Sequence, residues 1–255
     1  MPAVLEVKNV EKIYGSKGNA TRALAGVSFS VQQGDYVGIM GASGSGKTTL
    51  LNCIATIDTP TSGTIAIDGR DVTALSSRQL SDFRRDALGF VFQDANLLDT
   101  LTARENIALP LTIDRVDPRQ IRERVERVGC TLGIEAVLDK YPYQMSGGQR
   151  QRVAAARAIV TDPKLVLADE PTGALDSKNA KLLLECFDML NLRLGATILM
   201  VTHDSFAASY CKRVLFIRDG KVFTEVVRGN STRRQFFDRI MEVVAIIGGE
   251  DDDAC

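Results

Sequence analysis

The stretch Asp35-Tyr36-Val37-Gly38-Ile39-Met40 is followed directly by Gly41-Ala42-Ser43-Gly44-Ser45-Gly46-Lys47-Thr48. The apolar run predicts a short buried strand, and a helix is predicted after Lys47. The last eight residues match the P-loop pattern, in which glycines let backbone N–H groups wrap around a phosphate beside the positive end of a helix dipole. We predict that Lys47 reaches the β- and γ-phosphates of a nucleotide. The predicted nucleotide-binding residues of this segment are Gly41, Ala42, Ser43, Gly44, Ser45, Gly46, Lys47, Thr48 and Thr49.

A second apolar run, Leu165-Val166-Leu167-Ala168, ends in two acidic residues, Asp169 and Glu170. By themselves, two acids after a strand are also typical of a solvated turn. A P-loop in the same chain favours a catalytic interpretation, in which Asp169 and Thr48 hold Mg²⁺ directly or through water. We expect Glu170 to polarise the attacking water, either as a general base or as a positioning group.

The remaining pattern predicts an α/β fold with a parallel sheet covered by helices. Apolar strands recur, including residues 196–201, and a helical pattern with one apolar face covers residues 179–193. Residues 27–31 and 63–67 alternate between apolar and polar side chains, which predicts a small antiparallel sheet. An Arg- and Glu-rich stretch at 106–144 predicts a helical insertion. Asp219-Gly220 between two apolar runs predicts a hairpin.

Composition excludes several classes of protein. The chain has 255 residues, of which 45% are hydrophobic and 25% charged, and its formal net charge is -1. A general nucleic-acid binder usually has a basic surplus, so we expect no nucleic acid as partner. No secretory signal and no run of about 18 apolar residues is present, so we expect the chain to stay in the cytosol. The five cysteines are scattered, which favours reduced thiols.

Ser146-Gly147-Gly148-Gln149 precedes a basic segment, Arg150-Gln151-Arg152. Alone, Ser-Gly-Gly is typical of a helix-capping turn. In the order P-loop, Ser-Gly-Gly-Gln, acidic strand and His203, however, the chain resembles the ATP-binding-cassette (ABC) ATPases. The resemblance implies ATP and Mg²⁺ as ligands and a head-to-tail homodimer that encloses two ATP molecules. It also implies that Ser146, Gly147 and Gly148 contact the γ-phosphate of ATP bound to the other subunit, as glycine N–H groups at a helix start can do, and that Gln149 belongs to the nucleotide-binding residues.

The same resemblance assigns roles to four further positions. Gln93, in Phe90-Val91-Phe92-Gln93-Asp94, corresponds to the glutamine that contacts Mg²⁺ and senses the γ-phosphate. His203 corresponds to the switch histidine that contacts the γ-phosphate, and it is the only histidine of the chain. Ala174-Leu175-Asp176 corresponds to a loop that crosses the dimer interface. Tyr14 corresponds to an aromatic that stacks on adenine, although an ordinary strand tyrosine remains the alternative.

Three stretches indicate one particular branch of the ABC ATPases: residues 92–102, Ser209-Tyr210-Cys211 and residues 234–241. Together they are similar to the bacitracin-resistance (Bce-type) ATPases of the macrolide-exporter and lipoprotein-release branch. This implies a membrane permease with ten spanning helices as partner, in some cases with a sensor histidine kinase, and resistance to peptide antibiotics. It also implies a location on the cytoplasmic face of the cell membrane, through the permease.

Other functions within the same family remain open. The alternatives within transport are an ATPase of a lipoprotein-release, macrolide-export or cell-division complex. An importer subunit is less expected, because little chain follows His203. A soluble ABC ATPase acting on ribosomes or DNA is also less expected, because the chain has neither a second cassette nor a long coiled-coil insertion.

The predicted fold class is a P-loop NTPase with a RecA-like α/β core, an antiparallel β subdomain and a helical subdomain. The predicted bounds are residues 4–243 for the ATPase domain, about 94–160 for its helical subdomain and 244–255 for a C-terminal tail.

Overall fold

The computed structural model describes residues 3–15 and 19–252. The strands are β1 (Ala3–Tyr14), β2 (Thr21–Gln32), β3 (Tyr36–Met40), β4 (Ser62–Ile67), β5 (Arg70–Asp71), β6 (Leu88–Val91), β7 (Leu165–Asp169), β8 (Ile198–Val201), β9 (Arg213–Arg218) and β10 (Lys221–Val227). The α-helices are α1 (Lys47–Ile54), α2 (Ser77–Ala87), α3 (Ala103–Ile113), α4 (Pro118–Thr131), α5 (Gly147–Ile159), α6 (Ser177–Leu194), α7 (Ser205–Ala208) and α8 (Arg233–Asp252). Short 3-10 helices lie at Glu135–Val137 and Pro142–Gln144.

The chain divides into two compact units. The first unit contains the chain up to Ser76 and again from Leu199, and the second unit contains Ser77–Ile198. Within the described residues, no helix combines the length and the apolar character that crossing a membrane requires.

The first unit contains the predicted antiparallel sheet, with strand order β2-β1-β4-β5. Leu5 lies opposite Val31 of β2 and Ile67 of β4, and all three side chains are buried. The alternation seen in the sequence therefore separates a buried face from an exposed one.

The same unit holds strand β3, whose residues are all buried. It pairs in parallel with β9, where Val37 lies opposite Arg213 and Met40 opposite Phe216. Strand β9 turns at Asp219 and Gly220, both with positive φ, into the antiparallel β10. The predicted hairpin is thus confirmed. Strand β3 ends at Met40, and the P-loop begins at the next residue, Gly41.

The second unit contains the parallel pair β6 and β7, with Leu88 opposite Leu165 and Val91 opposite Ala168. Helix α3 starts with a capping box between Thr102 and Glu105. Helix α6 starts at the cap Asp176 and ends at Gly195, which has a left-handed φ of 65°. The predicted helical character of the 106–144 stretch is confirmed by α3 and α4.

Helix α8 closes the described chain. Its side chains Phe236 and Ile240 are completely buried, which anchors the helix in the first unit. It runs from Arg233 to Asp252 and so passes through the predicted boundary between residues 243 and 244. The domain bounds given above stay predictions, and residues 253–255 of the predicted tail lie outside the described residues.

Candidate nucleotide site

The P-loop lies in the first unit, between β3 and α1. Gly41 and Gly46 have φ angles of 156° and 102°. A Cβ at Gly41 would lie 2.1 Å from the carbonyl oxygen of Ile217, and one at Gly46 would lie 2.4 Å from that of Ala23. Only glycine fits these two positions, because both the backbone conformation and the close approach exclude a side chain.

Lys47 begins helix α1 and is 8% exposed. Its Nζ donates hydrogen bonds to the carbonyl oxygens of Gly41 at 2.9 Å and Ala42 at 2.8 Å. The ammonium group is therefore held within the loop that the sequence predicts to bind phosphate. The first N–H groups of α1 have no acceptor within the helix, which adds donors for an anion at the same place.

His203 follows strand β8 and is exposed. The turn that carries it is fixed by two hydrogen bonds, from the Asp204 N–H to Thr202 Oγ1 at 3.0 Å and from the Phe206 N–H to Asp204 Oδ1 at 2.8 Å. His203 lines a pocket of about 160 Å³ together with the first two P-loop residues and with helix α8. The other lining residues are Met40, Gly41, Ala42, Phe216, Val244, Ile247 and Gly248. The first unit thus brings the histidine to the start of the P-loop.

Tyr14 is the last residue of β1 and is 42% exposed. Its phenol donates a hydrogen bond to Asp58 Oδ2 at 2.7 Å and also shares a hydrogen bond with Thr49 of helix α1. The tyrosine is therefore tied to the helix that follows the P-loop. The partner Asp58 carries no motif, and its involvement is not apparent from the sequence.

The acidic strand end lies in the second unit. Asp169 is the last residue of β7, and Glu170 follows with a left-handed φ of 45°. The carbonyl oxygen of Glu170 accepts a hydrogen bond from the Gly173 N–H at 2.9 Å, which closes a turn. A glutamate in this conformation is uncommon, because a Cβ disfavours the left-handed region of the backbone.

Gln93 lies beside that turn, within the same unit. A Cβ at Gly173 would lie 3.1 Å from Cδ of Gln93, so the glutamine side chain packs over the glycine. The backbone of Gln93 is held by Gln151 of helix α5, whose Nε2 donates to the carbonyl oxygen of Phe92 at 2.9 Å and to that of Gln93. Gln151 is 2% exposed. The second unit therefore places Gln93 next to the Asp169–Glu170 turn.

The Ser-Gly-Gly-Gln segment forms the start of helix α5. Ser146 is the N-cap, and it exchanges hydrogen bonds with Gln149 in a capping box. Gly148 is buried, and a Cβ there would lie 2.2 Å from Oδ1 of Asn179. Nδ2 of Asn179 in turn donates to Oδ2 of Asp176 at 2.6 Å. The segment thus caps helix α5 and also packs against the start of α6.

A family model described as ABC transporter matches residues 24–173. The chain belongs to the ABC transporter family. It is 49% identical to the bacitracin export ATP-binding protein BceA of Halalkalibacterium halodurans, over 98% of this chain and 99% of that protein. It is 43% identical to the macrolide export ATP-binding/permease protein MacB of Hyphomonas neptunium, over 88% of this chain but 35% of that protein.

Solved structures agree with this membership. The chain is similar to the dimeric post-hydrolysis state of the ATP-binding cassette MJ0796 bound to ADP and Pi, with a TM-score of 0.78 and 39% identity over 88% of this chain and 98% of that one. This ABC transporter subunit accordingly binds ATP and hydrolyses it, and the predicted P-loop NTPase fold is confirmed.

The predicted site residues of this ABC ATPase fall into two groups. The first unit holds Tyr14, the P-loop residues and His203. The second unit holds Gln93, the Ser146–Gln149 segment, Asp169 and Glu170. Some of these residues are held by neighbours outside the motifs: Tyr14 by Asp58 in the first unit, and Gln93 by Gln151 and Gly148 by Asn179 in the second.

Proposed function

We propose that this chain is the ATP-hydrolysing subunit of a membrane complex that protects cells from peptide antibiotics of the bacitracin and lantibiotic type. The observation that carries the proposal is the 49% identity to BceA over nearly the whole of both chains. The complex would contain a membrane permease with ten spanning helices, and a sensor histidine kinase would act with it. The permease would hold this subunit on the cytoplasmic face of the membrane.

The proposed chemistry assigns one task to each group. Lys47 and the P-loop N–H groups bind the β- and γ-phosphates, and His203 contacts the γ-phosphate from the adjacent turn. Glu170 orients the attacking water and accepts its proton. The left-handed φ of Glu170 supports this role, because strained backbone of this kind persists only where the surrounding structure imposes it and is concentrated at active sites.

The donor set also fits Mg²⁺. This ion prefers oxygen ligands and is commonly held by one carboxylate, a hydroxyl, waters and the substrate phosphates. Asp169, Thr48 and the amide oxygen of Gln93 are donors of these kinds. When bound, Mg²⁺ would neutralise charge that develops on the phosphates.

The working unit is proposed to be a head-to-tail homodimer in which Ser146, Gly147 and Gly148 of one subunit contact the ATP of the other. The exposed position of Ser146 at the start of α5 supports this arrangement. Mixing Lys47→Ala chains with Ser146→Arg chains tests it, because each heterodimer would retain one intact composite site. Nucleotide-dependent cross-linking and residual hydrolysis should appear in the mixture but not in either variant alone. If the mixture shows no residual hydrolysis, the head-to-tail arrangement is contradicted.

The permease is proposed to dock on the second unit near residues 94–102. The backbone of this segment is hydrogen-bonded to side chains of the second unit: Asn106 Oδ1 accepts from the Leu98 N–H at 2.8 Å, and Arg157 donates to the carbonyl oxygens of Asn96 at 2.8 Å and Ala95 at 3.0 Å. Leu98 is nevertheless 47% exposed. An apolar side chain held outward on a fixed loop is suited to an apolar partner.

A groove of about 530 Å³ in the same unit extends this surface. Its lining is mostly apolar and carries three arginines. The rings of Phe90 and Phe92 stack at 5.9 Å along it, directly before Gln93. An apolar helix of the permease with acidic ends would complement both features.

Leu98→Asp tests the docking surface. The variant should lose co-purification with the permease, because a charge would enter an apolar contact, while its melting temperature and ATP affinity stay at wild-type values. Leu192→Asp is the matched control, since Leu192 is 66% exposed in the same unit and lies on helix α6. Full retention of permease by Leu98→Asp removes this residue from the interface.

The biological proposal has its own test. Deleting the gene for this subunit should sensitise the cell to bacitracin or lantibiotics. Unchanged sensitivity to such peptides, with a defect in macrolide export instead, would favour the alternative that similarity to MacB supports.

A further inference from the structure

The ring of Tyr14 is held at two places by neighbours that the ATPase motifs do not include. Its hydroxyl donates to Asp58 Oδ2 at 2.7 Å and shares a hydrogen bond with Thr49. Lys12, two residues earlier on β1, places its Nζ 4.8 Å from the centroid of the ring, over one face. The ring is still 42% exposed. One face is thus taken by a cation, and the accessible area remains for a ligand.

Asp58 is itself a fixed point. Its Oδ1 accepts from Lys12 Nζ at 2.5 Å and from the Thr59 N–H at 2.7 Å, and its own N–H donates to the Asn52 carbonyl oxygen at 3.1 Å. Lys12 Nζ donates further to the carbonyl oxygen of Thr59 at 2.7 Å. The Lys12 side chain is only 13% exposed. This cluster therefore has more hydrogen bonds and less exposure than an isolated surface ion pair, whose two side chains are usually free to move.

The protonation behaviour of the cluster agrees with this geometry. Burial alone would raise the pKa of Asp58, but hydrogen bonds from Lys12 and Tyr14 outweigh it and hold the pKa below its usual value. The hydrogen bond to Asp58 raises the pKa of Tyr14, so the phenol stays neutral and continues to donate. The carboxylate and the ammonium are therefore both charged at neutral pH.

We propose that Lys12 and Asp58 are positioning residues that fix the Tyr14 ring as a one-sided stacking platform for the nucleotide base. The inference rests on the proposed ATPase function and on the adenine-stacking role that the resemblance to ABC ATPases implies for Tyr14. A tyrosine that is already ordered does not have to be immobilised when the nucleotide binds. The conformational entropy that is then not lost on binding corresponds to an affinity gain of roughly three- to tenfold.

A stacking platform and a general support of the P-loop would affect the affinity for ligands differently. Stacking acts on the base and is tolerant of base identity, because every base has a π-face. Losing the platform should therefore weaken a nucleotide but not a triphosphate chain without a base. Asp58 follows helix α1, so damage to the P-loop itself would instead weaken both.

The experiment measures the affinities of AMP-PNP and inorganic tripolyphosphate, both with Mg²⁺, by isothermal titration calorimetry. The variants are Asp58→Ala, Tyr14→Phe, Tyr14→Ala and Lys12→Met, with the double variant Tyr14→Ala/Asp58→Ala. Lys8→Met is the matched control, because Lys8 lies on the same strand in an exposed ion pair with Glu6. Thermal melting is recorded for each protein.

The expected result is that Asp58→Ala, Lys12→Met and Tyr14→Phe each weaken AMP-PNP about three- to tenfold and leave tripolyphosphate unchanged. Asp58→Ala should add nothing once Tyr14 is alanine. Lys8→Met should bind both ligands as the wild type does. Equal weakening of both ligands by Asp58→Ala would overturn the inference, because the cluster would then support the P-loop.

The stacking role of Tyr14 and the positioning role of Asp58 and Lys12 can be refuted separately. If Tyr14→Ala leaves AMP-PNP affinity unchanged, the adenine-stacking role that the resemblance implies for Tyr14 is wrong. If Tyr14→Ala weakens AMP-PNP while Asp58→Ala and Tyr14→Phe do not, the stacking role stands and only the positioning role of Asp58 and Lys12 is refuted.

Discussion

Replacing Gln151 with leucine would remove the amide that holds the backbone on which Gln93 is mounted. Gln151 is 2% exposed, and its Nε2 donates to the carbonyl oxygens of Phe92 and Gln93. Leucine has a similar volume and donates no hydrogen bond. The change therefore isolates the polar contacts from the packing.

The size of the effect follows from these contacts. Two hydrogen bonds at a net value of about 0.5–1.5 kcal/mol each give roughly 1–3 kcal/mol. Gln151 Oε1 is buried without a hydrogen-bond partner among the described residues, so leucine also removes an unfavourable group. We expect a loss of about 1–2 kcal/mol in the free energy of unfolding. If about 1 kcal/mol of that loss appears as misplacement of Gln93, kcat falls roughly fivefold.

Two assays check this. Urea unfolding is followed by circular dichroism, which suits a chain without tryptophan, and MgATP hydrolysis is followed by phosphate release. Gln120→Leu on helix α4 is the control, because Gln120 is exposed. An unfolding free energy within about 0.5 kcal/mol of the wild type, together with a normal kcat, would refute the argument that Gln151 holds this segment.

Three further outcomes are expected. Glu170→Gln should keep ATP affinity and lose at least about 100-fold in kcat, and phosphate release at near wild-type rate would exclude Glu170 as the base. Gly148→Ala should weaken ATP-dependent dimerisation, measured by size-exclusion chromatography, because its Cβ would lie 2.2 Å from Asn179 Oδ1 and displace that side chain. At pH 8, iodoacetamide should modify the exposed Cys130, more slowly than a free cysteine because a hydrogen bond to a neighbouring carboxylate raises the thiol pKa. Cys211 should stay unmodified, since burial raises its thiol pKa and blocks access; peptide mapping that finds it labelled contradicts its burial.

Features encoded in contiguous residues were predictable. The strand, glycine loop and helix around Lys47 need only local pattern and steric rules, and so do the alternating strands β2 and β4 and the hairpin at Asp219. The two acids after β7 were placed correctly at the end of a strand. Helix α8 shows the limit of such rules, because its apolar residues Phe236 and Ile240 indicate burial but not how far the helix continues.

Contacts between distant residues were not predictable. Asp58 lies 44 residues from Tyr14, and Gln151 lies 58 residues from Gln93. Such pairs depend on how elements pack, and neither Asp58 nor Gln151 has a neighbouring pattern that marks it. The residues that hold functional side chains in place are therefore harder to find in the sequence than the functional side chains themselves.

The left-handed backbone at Glu170 has an evolutionary consequence. A glutamate pays about 1 kcal/mol for this conformation, whereas asparagine adopts it more readily. Selection for stability alone would therefore favour other residues at this position, and the role proposed for Glu170 in hydrolysis opposes such a replacement. A lineage that came to use this subunit for ATP-gated binding, without turnover, would be expected to lose the glutamate early and to gain stability when it did.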